Sequence, residues 1–136
     1  MAANTAPIFV LSINNKGQSW THSDSAATTK DIFVAGSNGS RVASVAVAST
    51  DTSAIDVQLF AYDGSTAWLV GTVTVPIGAG NTGAVAAVNL LNLPSCPWLN
   101  GDGSITLPTG WKLQASNVTQ VTTAKTLTVV ALGADY

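Results

Sequence analysis

The sequence predicts an all-β fold, an antiparallel β-sandwich of jelly-roll type with about eight short strands. Three observations carry this. Glutamate is absent, so all seven acidic residues are Asp, a residue that favours turns over helices. Charged residues make up only 9% of the chain, against about 25% in ordinary soluble domains, so the residues that normally coat exposed helices are missing. Finally, short runs of alternating apolar and polar residues recur between Gly, Pro, Asn and Asp turn signals. At 136 residues the chain has the length of one domain and enough surface to build its own core.

The elements follow in order. Residues 1–7 read as a short N-terminal arm, and Ile8–Ile13 as an apolar first strand. Asn14–Ser25 is polar and reads as a loop holding Trp20 and His22. Asp31–Ala35 is strand-like, with Ile32 and Val34 on one face and Phe33 on the other; Gly36-Ser37-Asn38-Gly39 is a turn. Ser40–Pro76 then reads as a three-stranded meander over Arg41–Ala48, Ile55–Tyr62 and Ala67–Val75. In its first strand Val42 is out of phase with Val45 and Val47, which predicts a bulge near Ala43-Ser44. In the second, Ile55, Val57, Leu59 and Ala61 share the inner face. In the third, Leu69, Gly71, Val73 and Val75 point in, leaving Trp68 and Val70 outside beside Phe60 and Tyr62. Pro76–Gly83 is a glycine-rich loop, Ala84–Leu91 a strand, and Asn92–Gly103 irregular. Ile105–Leu107, Trp111–Ala115 and Thr126–Leu132 complete the strands.

Chemistry is hard to find. His22 and Cys96 are the single histidine and the single cysteine, so a Cys/His nucleophile pair is possible only on paper, and no internal disulfide can form. Asp24 with Asp31 and Asp51 with Asp56 are the carboxylate pairs near in sequence, and turns account for them; His22 with Asp24 is only a two-ligand fragment, and zinc spacings, an EF-hand loop and a phosphate-loop lysine are missing, so neither catalytic residues nor a metal or cofactor are expected. Net charge is −2 with scattered cations, which argues against nucleic-acid binding. The opening residues do not resemble an export signal and no run is long enough for a membrane helix, so no membrane association is expected. Sequons at Asn38 and Asn117 are expected to be idle.

Strand positions that carry Ala, Ser or Thr in place of Lys or Glu suit burial against further copies, so a homo-oligomer is expected, with a Ser/Thr-coated monomer as the rival reading. The candidate interface residues are Trp20, Phe60, Tyr62, Trp68, Val70, Trp98, Leu99 and Tyr136: aromatic or apolar side chains in loops, on the outer meander face or at the chain end.

Four pieces of sequence carry a resemblance: the opening MAANTAPIF, Gly39-Ser40-Arg41-Val42, Leu107-Pro108-Thr109-Gly110-Trp111-Lys112-Leu113, and the Gly-Ala-Asp-Tyr finish. Together they resemble small virion proteins of tailed bacteriophages. The resemblance implies a β-sandwich made in the bacterial cytoplasm and mounted on the virion. There it would serve as a capsid decoration (cement) protein, often trimeric, bound to the major capsid protein. A tail or fibre module that recognises cell-surface glycan through Trp20 or Trp98 is the alternative.

Overall fold

A computed structural model describes residues 9–136; the arm expected over residues 1–7 lies outside them. The described residues form nine strands: β1 (Ser12–Thr21), β2 (Thr29–Val34), β3 (Ser40–Ser49), β4 (Ile55–Tyr62), β5 (Ala67–Val75), β6 (Val88–Asn89), β7 (Ile105–Leu107), β8 (Lys112–Asn117) and β9 (Thr126–Asp135). They build two antiparallel sheets. Sheet A has the order β1-β9-β3-β6, with β7 also on β3; sheet B has the order β2-β8-β4-β5. β6 pairs with Ala46–Val47 and β7 with Ser40–Val42, so the two share one edge of β3 as an interrupted strand. The chain alternates between sheets at every connection except the β4–β5 hairpin and the β6–β7 link. This wrapping is that of a jelly roll.

The expected meander is therefore divided. β4 and β5 form the predicted hairpin, but β3 pairs with β9 in the other sheet. The link between β3 and β4 crosses the sandwich because Asp51, buried at its start, accepts hydrogen bonds from Ser53 N at 2.9 Å and Thr122 N at 2.8 Å. Those bonds hold the chain against the β8–β9 connection rather than in a tight hairpin turn.

Three bulges set which residues face the core. The one foreseen in β3 is present: pairing with β9 skips Ala43, and Val42, Val45 and Val47 are all buried. A second in β2 skips Ile32, so Ile32 and Phe33 both point inward instead of to opposite faces. A third in β5 skips Val70, which is buried, while Leu69 turns out and is 51% exposed. This reverses the predicted phase at Leu69 and Val70.

Other boundaries also differ from expectation. β1 runs through the stretch expected to be a loop. It is an edge strand held by ten paired positions on β9, and among these only Trp20 is buried, so it carries no apolar alternation. Ala84–Leu91 contributes only the two residues of β6, because the Asn89 side-chain oxygen takes the N–H groups of Val45 and Leu91. β9 continues to Asp135, three residues past its expected end.

One apolar core lies between the sheets, with Trp20, Phe33, Ile55, Leu59, Leu113 and Leu127 among its largest members. At Gly133 on β9 the two sheets leave no room for a side chain. A Cβ there would lie 2.8 Å from the Arg41 carbonyl oxygen and 2.9 Å from the Phe33 ring. Gly133→Ala should therefore cost about 1–3 kcal/mol through overpacking, seen as a lowered Tm in thermal unfolding. Gly83→Ala, whose methyl would meet open space, should change stability by less than about 0.5 kcal/mol. Equal Tm values for the two variants would show that the ring does not hold this position closed.

Candidate functional site

Three of the four motifs that carry the resemblance, those around Ser40, Thr109 and Asp135, meet at one end of the sandwich, and the opening motif lies almost wholly outside the described residues. Ser40 Oγ donates to Asp135 Oδ1 at 2.5 Å and accepts from Gly36 N at 2.8 Å. Asn14 Nδ2 reaches Asp135 Oδ1 at 3.0 Å and the Val34 carbonyl at 3.1 Å, joining β1 and β9 to the end of β2. Tyr136 N donates to the Gly39 carbonyl, and Thr109 Oγ1 donates to the Ser37 carbonyl at 2.8 Å. These residues tie strands together, and the Ser40 hydroxyl beside the Asp135 carboxylate is completely buried.

His22 and Cys96 are not brought together. His22 follows β1 and its Nδ1 lies 2.9 Å from the Val121 carbonyl. The Cys96 thiol points to the Val70 carbonyl on β5. β1 and β5 lie at opposite margins of the sandwich and in different sheets, so its width separates the two side chains. Among the described residues no three His, Cys, Asp or Glu side chains group as metal ligands. Of the two sequon asparagines, Asn38 is exposed, whereas Asn117 is fully buried with its amide donating to the Ser25 and Thr119 carbonyls.

The candidate interface residues separate by burial. Trp20 is completely buried, its indole N–H on the Thr28 carbonyl at 2.9 Å and the Lys30 ammonium 5.4 Å from its ring. Val70 is buried by its bulge. Neither offers surface in the single chain, which corrects the expectation that Trp20 sits in a polar loop and Val70 on an outer face. Phe60, Tyr62, Leu99 and Tyr136 are half-buried. Trp68 and Trp98 are 47% and 38% exposed. The Trp68 indole N–H is fixed on Asp63 Oδ2 at 3.0 Å.

The two outer faces differ in chemistry. On sheet B, paired residues form cross-strand rows. One row is Asp31, Gln114, Phe60 and Leu69; the next carries Lys112 and Tyr62. Asp31 accepts from Lys112 at 3.0 Å and Gln114 at 2.7 Å, and Asp56 accepts from Thr74 at 2.6 Å. This face carries charge, held in lateral pairs. On sheet A the rows run Ile13–Ala134–Arg41, Asn15–Leu132–Ser44 and Gly17–Val130–Ala46. Arg41 is the one charged residue in them. Its guanidinium is neutralised by Asp102 and donates to Ser104 Oγ at 2.9 Å.

Half of the ten large hydrophobic side chains most exposed among the described residues gather at the corner where this face begins. They are Phe9, Val10, Leu11, Ile13 and Leu132, and Leu11 N bonds the Asp135 carbonyl at 2.8 Å, continuing the run alongside β9. An open cleft of about 530 Å³ lies there between Phe9, Leu11, Asn38 and Tyr136. Sequence reasoning did not single out these residues except Tyr136. The signal was the apolar run up to Ile13, which reads as core when the edge position of its strand is unknown. No protein-family model matches the chain, and no curated protein matches it in sequence.

Electrostatics here serve folding. The Ser40 hydroxyl and the Asn14 amide hold the Asp135 carboxyl below its usual range. Gln114, then Lys112, do the same for Asp31 against the opposing effect of burial. The Thr21 N–H and Lys30 lower Asp24. Burial would raise Asp51, but its bonds from Thr122 and Ser53 outweigh that. Thr66 and Ser65 N–H groups, with Trp68, bring Asp63 down to about 2. Each depressed carboxyl binds its proton more weakly when folded, so the unfolded chain takes up protons first as pH falls. Stability from these groups is complete above the ordinary carboxyl value of 3.8 and drains away as pH drops toward 2. Thermal unfolding from pH 6 to about 2 should show a Tm level at the upper end and falling below the carboxyl range. A Tm that rises on acidification would contradict these assignments.

Proposed function

We propose that this chain is a capsid decoration (cement) protein of a tailed bacteriophage, an oligomer that binds the outer shell and stabilises the virion. The observation that carries the reading is the nearly charge-free outer face of sheet A with its exposed apolar corner. The largest contiguous apolar patch on a protein surface is often a contact surface. The jelly roll is compatible, being a fold that capsid and lectin domains share, though a fold alone does not fix a function. A cement protein needs surfaces for its neighbours and no active site, and many copies let individually weak contacts sum to a firm hold.

A second reading is favoured by one observation. Trp68 is both exposed and locked by Asp63, so its ring offers a rigid stacking surface at little entropic cost, as a tail or fibre module gripping cell-surface glycan would require. Virions assembled without this chain should release their genome at a lower temperature than complete ones, and adding the purified chain back should restore resistance. Equal heat resistance with and without the chain would overturn the cement reading. Binding on a glycan array that disappears in Trp68→Ala would favour the second.

A further inference from the structure

We propose that the outer face of sheet A, at the β1–β9 corner, is where neighbouring copies of this chain meet. The inference rests on the cement reading for its biological setting, but the contact itself belongs to the isolated protein. Ile13 and Leu132 sit on the same face in adjacent rows of the β1–β9 ladder, within reach of one another as diagonal neighbours. Phe9, Val10 and Leu11 extend that surface along the end of β9. The five side chains are 73%, 43%, 78%, 81% and 39% exposed for Phe9, Val10, Leu11, Ile13 and Leu132 in turn. Together they leave on the order of 500 Å² of apolar surface in water, within the ~300–600 Å² of a monomer's largest patch, which is often functional, and short of the ~800 Å² per partner of a standard protein interface, so the neutral rows beside them would complete the contact.

Charge selects the occupant. A partner with unpaired ionic groups would have to bury them against a face that offers only Arg41, already neutralised by Asp102. A second copy brings the same neutral surface, so no new charge is desolvated. The chain's net charge of −2 is small enough that copies repel each other little. Sheet B is unlike this: Asp31, Asp56 and Lys112 hold charge across its outer face, so burial there would cost desolvation of paired ions.

The test uses the full chain, with its mass measured by sedimentation equilibrium across ~1–100 µM, where a reversible oligomer shows concentration dependence. A mass that is a multiple of 13.8 kDa is expected. Ile13→Lys and Leu132→Lys should each weaken association by about tenfold or more, because each buries an unpaired ammonium. Thr72→Lys on the sheet B face should leave it unchanged. Ile13 is so exposed that its replacement leaves the core intact, and an unaltered circular-dichroism spectrum confirms this. A 13.8 kDa monomer throughout the range overturns the proposal, as does an oligomer indifferent to Ile13→Lys and Leu132→Lys but broken by Thr72→Lys. Either result leaves the virion heat-resistance measurement to decide the cement reading on its own.

Discussion

The Phe33 ring against the bare backbone of Gly133 is the contact on which the rest of the sandwich depends. Phe33 belongs to sheet B and Gly133 to sheet A, so the contact fixes how closely the sheets approach at that end. Several separate features of the chain converge on it. The bulge in β2 turns Phe33 inward beside Ile32. The bulge in β3 begins at Val42, the partner of Gly133, and leaves the Arg41 carbonyl where any side chain at 133 would strike it. Just beyond, Asp135 gathers Asn14 and Ser40. A side chain at 133 would have to displace either the ring or the β3 backbone, so a glycine near the end of the last strand is a packing requirement of both sheets.

The margins of the sandwich are closed by a different device. Beside β1 and β2, three side chains bond backbone carbonyls across the gap: Asn14 to Val34, Trp20 to Thr28, and Lys30 to Ser19. Beside β5, the irregular stretch after β6 fills the opening, with Leu93 against Gly71 and the Cys96 thiol on Val70. Open strand edges invite pairing with other chains, and stitched or covered margins limit this. With the margins closed, the sheet faces are the surfaces left open to a partner.

How much of this was legible in the sequence depended on whether the wrong phase would have shown. The β3 bulge was legible because Val42 breaks step with Val45 and Val47 while small or polar residues fill the other positions. The β5 bulge was not, because Leu69 and Val70 are both apolar and fit either face. Ile32-Phe33-Val34 hid the β2 bulge in the same way. The bounds of β4 and β5 and the turn between them were legible because strand composition and the turn chemistry of Asp63 agree there. Which strand pairs with which was not legible, since adjacency in sequence favours a meander and only the buried bonds of Asp51 reveal the crossing. The exposed apolar surface was only partly legible: Tyr136 was singled out, but the other candidate residues were chosen without knowing that Trp20 and Val70 close the core and that the bare side chains gather beside β1.

The absence of glutamate takes on a physical meaning once the carboxylates are located. Asp51, Asp63 and Asp102 each accept the N–H of a serine two residues on, in three Asp-x-Ser turns of the same form. Asp24 and Asp135 bond at strand ends, and Asp31 and Asp56 bond across strands. Closing a loop onto a backbone N–H two residues away demands the short Asp side chain, and Glu places its oxygens one carbon too far. The acidic residues of this chain are thus committed to turns and lateral ties, and few remain to hydrate the sheet faces. A jelly roll that reserves its carboxylates for loop geometry exposes outer strands of Ala, Ser, Thr and Val. The same selection that makes its turns exact leaves the face of β1, β9 and β3 nearly free of charge, so the economy of charge that points to the fold also accounts for the apolar character of that face.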